Sequence, residues 1–458
     1  MKLSRRLQRD VSRMLISTPL RDRRRKLQRM LRGLRGGGRR VLYFHQVDDP
    51  YSHLAAQLLG GLAERYEIQL EIHLVGPPAG AEAPDPERLV SYSRIDAARV
   101  AGPWGLNFRD PGSQPSSENL RRASEILASH LEPKIFAEVA PRVGSALWSD
   151  NTDEILALSN EFAAASAEKA EAAIAQGNRL RQKLGHYNSA TFCFEGEWYW
   201  GVDRLHYLEE RLRLDGARRD DGKEPLIARR EIRGTTRTAG STRVTLEYFP
   251  SLRSPYTAIS PSRTYAIAEN LPVDFVIKPV LPMVMRGMKV GLAKRMYIVR
   301  DTKREADLLG VPFGNLCDPI GRPVERGFSL YPFARSRNRT AEYLRAFLEA
   351  AFAEGIDTGT EEGLRHVVEH AGLDWQDARA ELDGDTWREE LEANRQEMLE
   401  SGVWGVPSYR VRSEGEPDFV VWGQDRIWLV EEEIVRRIDA EARTIPANAE
   451  QSEGKETA

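Results

Sequence analysis

The sequence predicts an α/β protein built from two similar halves, each with a strand–helix–strand start, a helical insert, and a closing hairpin followed by a helix. Three observations carry that prediction. Residues 40–76 and 243–279 both alternate strand, helix and strand; both halves close with a hairpin and a helix, at 191–213 and 408–440; and matched motifs stand in the same order in each. In the first half these are Asp49-Pro50-Tyr51, Asn188-Ser189-Ala190 and Trp200-Gly201-Val202-Asp203-Arg204. In the second they are Ser254-Pro255-Tyr256, Gly405-Val406-Pro407 and Trp422-Gly423-Gln424-Asp425-Arg426. A repeat of this kind decides architecture before any single element is assigned.

Taken in order, residues 1–39 form a basic arm in which Leu3, Leu7, Val11, Met14 and Leu15, then Leu27, Met30, Leu31 and Leu34, recur at helical spacing among arginines. A basic amphipathic helix suits an anionic membrane surface or a nucleic acid; equally, it suits docking on the acidic body of its own chain. Gly36-Gly37-Gly38 then leads into a first domain, 40–213. There a strand at 41–44 is followed by a helix at 51–66 after Pro50 and a strand at 68–75, a crossover that implies parallel strands. Helical patterns fill 88–184, notably 119–130 and 151–184, before the hairpin around Glu195-Gly196-Glu197 and a helix at 203–213. Residues 214–240, rich in Arg, Asp, Gly and Thr, read as a linker. The second domain, 241–440, repeats the order with a strand at 243–248, a helix at 255–269, a strand at 273–279, a helical insert over 288–399, a hairpin at 408–421 and a helix at 425–440. Its hairpin is longer, since Pro407 to Asp425 spans 18 positions and Ala190 to Asp203 spans 13. Residues 441–458 carry almost no large apolar side chain and are expected to be disordered. A sheet interrupted by a helical insertion and finished by a hairpin and helix is the thioredoxin-like plan, here expected twice in tandem.

Composition bounds the function. The 458 residues suit two to three domains of roughly 150 residues each, and 41% hydrophobic with 29% charged residues is ordinary for globular protein. The net charge of −3 hides an asymmetry: residues 1–40 hold 15 Lys or Arg against Asp10 and Asp22. No run of 18 apolar residues is present, and the basic start lacks the apolar stretch of a secretory signal, so a cytoplasmic location is expected. The two cysteines, Cys193 and Cys317, lie in different halves and form neither a disulfide framework nor a Cys-x-x-Cys pair. Thiol–disulfide exchange by the protein's own sulfurs is therefore disfavoured. His45, Asp48, Asp49 and His53 cluster in sequence, but their spacing matches no zinc signature and no metal is expected.

The second half resembles the DsbA-like thioredoxin superfamily, in the branch of 2-hydroxychromene-2-carboxylate isomerases and kappa-class glutathione transferases. The resemblance covers about 200 residues and rests on the Ser254-Pro255-Tyr256 start, the Val406-Pro407 pair and the Trp422-Gly423-Gln424-Asp425-Arg426 segment, in that order. It implies glutathione as cofactor, with Ser254 as the catalytic hydroxyl facing the thiol. It also implies a cis Val406-Pro407 pair that bonds the peptide part, and Gln424 and Asp425 at the γ-glutamyl end. General chemistry agrees, because a helix N-terminus stabilises a thiolate and an ionised Asp accepts an ammonium. Arg253 and Lys294 are expected to add positive charge nearby. Taken alone, Ser254 reads as an ordinary N-cap before Pro255; the other two motifs turn the reading toward the site.

The first half departs from this pattern, with Asp49 at the serine position and Ala190 at the proline position. It is expected to keep the fold without the site. The resemblance thus implies a glutathione-dependent isomerase or transferase acting on a small unsaturated carbonyl or aromatic electrophile whose identity the sequence does not reveal. The alternatives are a non-catalytic thioredoxin-like scaffold with a targeting arm, and a relative of the thiol–disulfide oxidoreductases. Because single-domain relatives are expected to be two-fold dimers, the two halves are expected to pair within one monomeric chain.

Overall fold

The computed structural model describes residues 10, 12–220, 222, 224–237 and 243–442. The first part of the basic arm, including Leu3, Leu7 and Val11, and residues 443–458 of the expected disordered tail lie outside the described residues. The chain divides into two compact units: residues 16–229 with 288–300, and residues 230–287 with the chain from 301 onward and the described residues before Ile16.

In the first unit, helix α1 (Thr18–Leu34) precedes strand β1 (Arg40–His45), helices α2 (Pro50–Ala56) and α3 (Leu59–Arg65), and strand β2 (Gln69–Leu74). The insert contains α4 (Pro86–Ala101), α5 (Ser117–Ser129), α6 (Pro133–Trp148), α7 (Thr152–Glu161) and α8 (Ala167–Lys183). Strands β3 (Thr191–Phe194) and β4 (Glu197–Trp200) and helix α9 (Leu205–Leu214) close it. The sheet order is β2-β1-β3-β4, with β1 parallel to β2 and antiparallel to β3. Glu195 and Gly196 turn the hairpin with φ of 49° and 78°, the two left-handed residues a tight two-residue hairpin needs.

In the second unit, β5 (Val244–Phe249), α10 (Pro255–Ala258), α11 (Pro261–Asn270) and β6 (Val273–Ile277) come first. Helix α12 (Leu292–Leu309) follows, its residues up to Arg300 belonging to the first unit and the rest to the second. Then come α13 (Arg322–Ser329), α14 (Tyr331–Ser336), α15 (Thr340–Glu349), α16 (Glu361–His370), α17 (Trp375–Arg379) and α18 (Trp387–Glu400). Strands β7 (Ser408–Arg412) and β8 (Phe419–Trp422) and helix α19 (Ile427–Ala442) finish the unit. The order β6-β5-β7-β8 and the strand senses are the same as in the first sheet. Even the central aromatic stack recurs: Tyr43 lies on Phe192 at 4.8 Å between ring centroids, and Tyr248 on Tyr409 at 5.3 Å.

Three predicted helices are each two. The 255–269 helix breaks before Pro261, whose ring nitrogen cannot donate into a continuing helix. The 51–66 helix breaks at Gln57 and Leu58, where the Gln57 backbone N–H bonds the Ala55 carbonyl and its side-chain amide bonds the backbone of Asn107. The 151–184 helix stops at Phe162 and restarts where the Ser166 hydroxyl caps Lys169 N–H. The stretch read as a linker is tied down in two places. Leu226 N–H donates to Glu209 in the first unit, and Thr235 N–H donates to Glu431 in the second.

Beneath the second sheet runs a charged network. Glu247 on β5, 3% exposed, pairs with Arg410 on β7 and with Lys278 at 3.1 Å, while Glu397 of α18 bonds Lys278 at 2.5 Å and Arg410 at 2.7 Å. At the corresponding register of the first sheet, Leu42 faces Cys193. Both Cys193 and Cys317 are buried, and burial pushes the Cys193 thiol up to about 11.

Candidate functional site

Two loops of the second unit meet at the start of α10. Ser254, in extended backbone geometry, is the N-cap of that helix, and its hydroxyl accepts from Thr257 N–H at 3.1 Å. The same hydroxyl donates to the Val406 carbonyl at 3.2 Å. The Val406–Pro407 peptide is cis. Val406 is half-buried, and its N–H has no hydrogen-bond partner within the chain among the described residues. Ser254 is likewise half-buried, and its hydroxyl meets the loop at the carbonyl of the same residue that carries this N–H. The loop is held from below, with Gly423 N–H donating to the Pro407 carbonyl at 2.8 Å and the Ser408 hydroxyl to the Gly405 carbonyl at 2.8 Å. Gly405 is required by close approach, because a Cβ there would lie 2.3 Å from the Trp422 indole.

The Trp-Gly-Gln-Asp segment forms a second, adjoining network. The Gln424 amide, 1% exposed, donates to Glu305 at 2.9 Å and to Asp425, and accepts from Arg263. Its oxygen and both of its N–H groups are engaged, so Gln424 frames the site and orients Asp425 from within. Asp425 is half-buried. Alongside, the Tyr256 hydroxyl donates to the buried Asp301 at 2.8 Å.

The structure therefore brings Ser254 to Val406 and joins Gln424 to Asp425, but it commits both expected cations elsewhere. Arg253 makes two parallel bonds to Asp318, each 2.7 Å, so its charge is matched by a carboxylate. Lys294 belongs to the first unit, where its ammonium donates to the Glu82 carbonyl at 3.0 Å and stands 5.8 Å from the centre of the Tyr187 ring. Burial lowers its pKa. The single turn of α10 also gives less axial dipole than the fifteen-position helix read from the sequence. Sequence reasoning missed Asp301, Glu305, Arg263 and Asp318. One signal was present: Tyr51 also donates to a buried aspartate, Asp96 at 2.7 Å, and both Tyr–Asp pairs are separated by 45 positions.

The first unit holds the same frame with different chemistry. Asp49 caps α2, accepting from Tyr51 N–H, Ser52 N–H, the Ser52 hydroxyl at 2.8 Å and the Ser189 hydroxyl at 2.9 Å. Burial raises its carboxyl to about 6 despite those donors. Ala190 takes a left-handed φ of 52°, yet its carbonyl still accepts from Gly201 N–H at 2.8 Å. His45 bonds the Tyr43 hydroxyl and His53 the Asn107 carbonyl; burial lowers them to about 3 and about 4.

Comparison with known proteins adds the following. Among curated proteins, none matches the chain. Among solved structures, the chain is similar to a 2-hydroxychromene-2-carboxylate isomerase, with 20% identity over 44% of this chain and 100% of that one, at a TM-score of 0.37. It is similar to a probable DsbA oxidoreductase from Streptomyces coelicolor, with 19% identity, 43% and 91% coverage and a TM-score of 0.35. The cytosolic disulfide reductase DsbM from Pseudomonas aeruginosa shares 18% identity over 44% of this chain and 99% of its own, at a TM-score of 0.34. The family model of the DSBA-like thioredoxin domain matches residues 245–435, a span that begins in β5, ends in α19 and contains Ser254, Val406, Pro407, Gln424 and Asp425. The second half of this chain carries a DSBA-like thioredoxin domain.

Proposed function

We propose that this domain binds glutathione, or a closely similar thiol peptide, across Ser254 and Val406, and uses the bound thiol on a small unsaturated carbonyl or aromatic electrophile. The observation that carries the reading is the Val406 N–H, which has no partner in the chain among the described residues and belongs to the residue whose carbonyl accepts from the Ser254 hydroxyl. An extended peptide laid along the 405–407 loop satisfies that N–H, and its thiol then faces a hydroxyl that can turn from the Val406 carbonyl to a sulfur. Asp425, oriented by Gln424, suits the ammonium of a γ-glutamyl group.

In an isomerase the thiolate adds to the unsaturated carbon and the π pair moves into an enolate, the former double bond rotates as a single bond, and the enolate pair then re-forms it as the C–S pair leaves on the thiolate; a transferase stops at the adduct, where the enolate takes up a proton. The common strand order and aromatic stack of the two sheets support reading the chain as a duplication in which the first copy keeps the frame. A second reading, binding without turnover, is favoured by one observation: Arg253 is matched by Asp318 and Lys294 is held by Glu82, so the thiol has less help to ionise. Calorimetry of the full chain with glutathione tests the first reading. Heat of binding that falls in Asp425→Ala and persists in Ser254→Ala is expected; no heat in the wild type overturns it. Ultraviolet titration of the bound thiolate separates the two readings. Catalysis needs a thiol pKa lowered in the wild type and restored upward in Ser254→Ala, whereas identical titration in both leaves a binding domain.

A further inference from the structure

Helix α1 sits on the first unit with its apolar side turned outward. Arg25, Arg29 and Arg32 recur at spacings of four and three and so share one face. That face is bound to the body of its own unit: Arg25 bonds Glu197 at 2.6 Å, Arg29 bonds Asp215 at 2.6 Å, and Arg32 joins both Glu195 and Asp215. No residue of the helix is buried. On the opposite side, at 3.6 residues per turn, stand Leu20, Leu27, Met30 and Leu34, exposed by 39%, 49%, 56% and 77%. Interleaved with and flanking them are Arg23, Arg24 and Lys26, all exposed and without an ion-pair partner among the described residues.

We infer that this outward face is a docking surface for an anionic lipid membrane, on which the four apolar side chains enter the headgroup–acyl boundary while Arg23, Arg24 and Lys26 meet lipid phosphates. The charge pattern selects this occupant. A nucleic acid would satisfy the cations and leave leucines and a methionine in water. A second copy of the same stripe would bring Arg23 and Arg24 against themselves. A membrane surface satisfies both components at once, since apolar burial and cation–headgroup attraction add and long cationic side chains extend to the interface from an apolar face. No described helix is long and apolar enough to cross a membrane, so the contact is peripheral.

Flotation of the full chain with lipid vesicles tests the inference. Vesicles with roughly a third phosphatidylglycerol in phosphatidylcholine, at about 0.1 M salt, are expected to carry the wild type, and pure phosphatidylcholine vesicles are not. Leu27→Gln with Met30→Gln is expected to lower partition about tenfold, and Arg23→Gln with Arg24→Gln to lower it as well, both with unchanged thermal melting because these side chains are exposed. Failure of the wild type to float overturns the proposal, as does flotation that the Leu27/Met30 pair leaves untouched. A concentration-dependent dimer abolished by that pair would assign the stripe to a second copy, and duplex DNA binding that survives it would assign the arm to nucleic acid.

Discussion

At the start of α2 the capping side chain is a carboxylate that only receives; at the start of α10 it is a hydroxyl that receives and gives. Asp49 accepts from Ser189, and Ser254 donates to Val406, so the bond between helix start and hairpin loop is kept while its direction is reversed. Asp49 turns its acceptors inward and is buried, whereas Ser254 remains half-buried and bonds the carbonyl of Val406, whose N–H has no partner among the described residues. The parts common to both units, namely the Tyr–Asp bond 45 positions apart, the stacked aromatic pair and the glycine N–H to carbonyl bond at 2.8 Å, belong to the frame. What differs is the capping side chain and its exposure, which is where the proposed site lies.

The largest expected effect concerns the sheets. Arg410→Ala leaves Glu247 buried with part of its pairing gone and is expected to cost about 3–5 kcal/mol in chemical denaturation. Importing the first unit's apolar pair, Glu247→Leu with Arg410→Cys, is expected to cost much less. If the double variant is the less stable of the two, the sheets are not interchangeable at this register.

Next in size is a pH effect. With the carboxyl of Asp49 raised to about 6 from an ordinary 3.8, its contribution to stability is complete below the ordinary value and is lost as pH rises through the folded one. Relative to Asp49→Asn, the wild type is expected to lose about 2 kcal/mol between roughly pH 4 and pH 7. Parallel curves for the two proteins would show that the carboxylate is already ionised and well solvated.

Importing the first unit's cap into the second sharpens the contrast further. Ser254→Asp places a negative charge where the thiolate is proposed to rest, and glutathione affinity is expected to fall at least tenfold, about 1.4 kcal/mol. Undiminished affinity would move the thiol away from Ser254. The smallest effect is the most diagnostic. Tyr51→Phe and Tyr256→Phe are each expected to cost about 1 kcal/mol in stability, without changing glutathione binding. A loss of binding confined to Tyr256→Phe would transfer that tyrosine from frame to site.

Much of this architecture was legible in the sequence because it rests on local rules. Prolines at helix starts, alternating strands and Glu195-Gly196 placed elements within a few residues of where they lie. Helix breaks were not legible where no proline marks them, as at Gln57, whose side-chain amide bonds the backbone of Asn107, 50 positions away. Within the candidate site, the pairing of Ser254 with Val406 was legible because both carry the motif. The fates of Arg253 and Lys294 were hidden, since Asp318 lies 65 positions from one and Glu82 212 positions from the other. Long side chains choose among distant partners, and spacing along the chain does not record the choice.

Asp215 gathers Arg29, Arg32 and Arg39, which precede it by 186, 183 and 176 positions. On a ribosome the arm therefore emerges long before its counter-charges exist. At about 5–20 residues per second, roughly ten to forty seconds separate the two. During that interval the cationic face of α1 has no acidic body to settle on, and a nascent chain presents both faces of the helix to whatever surface lies near the exit tunnel. The order of synthesis alone gives the arm an early life different from its mature one.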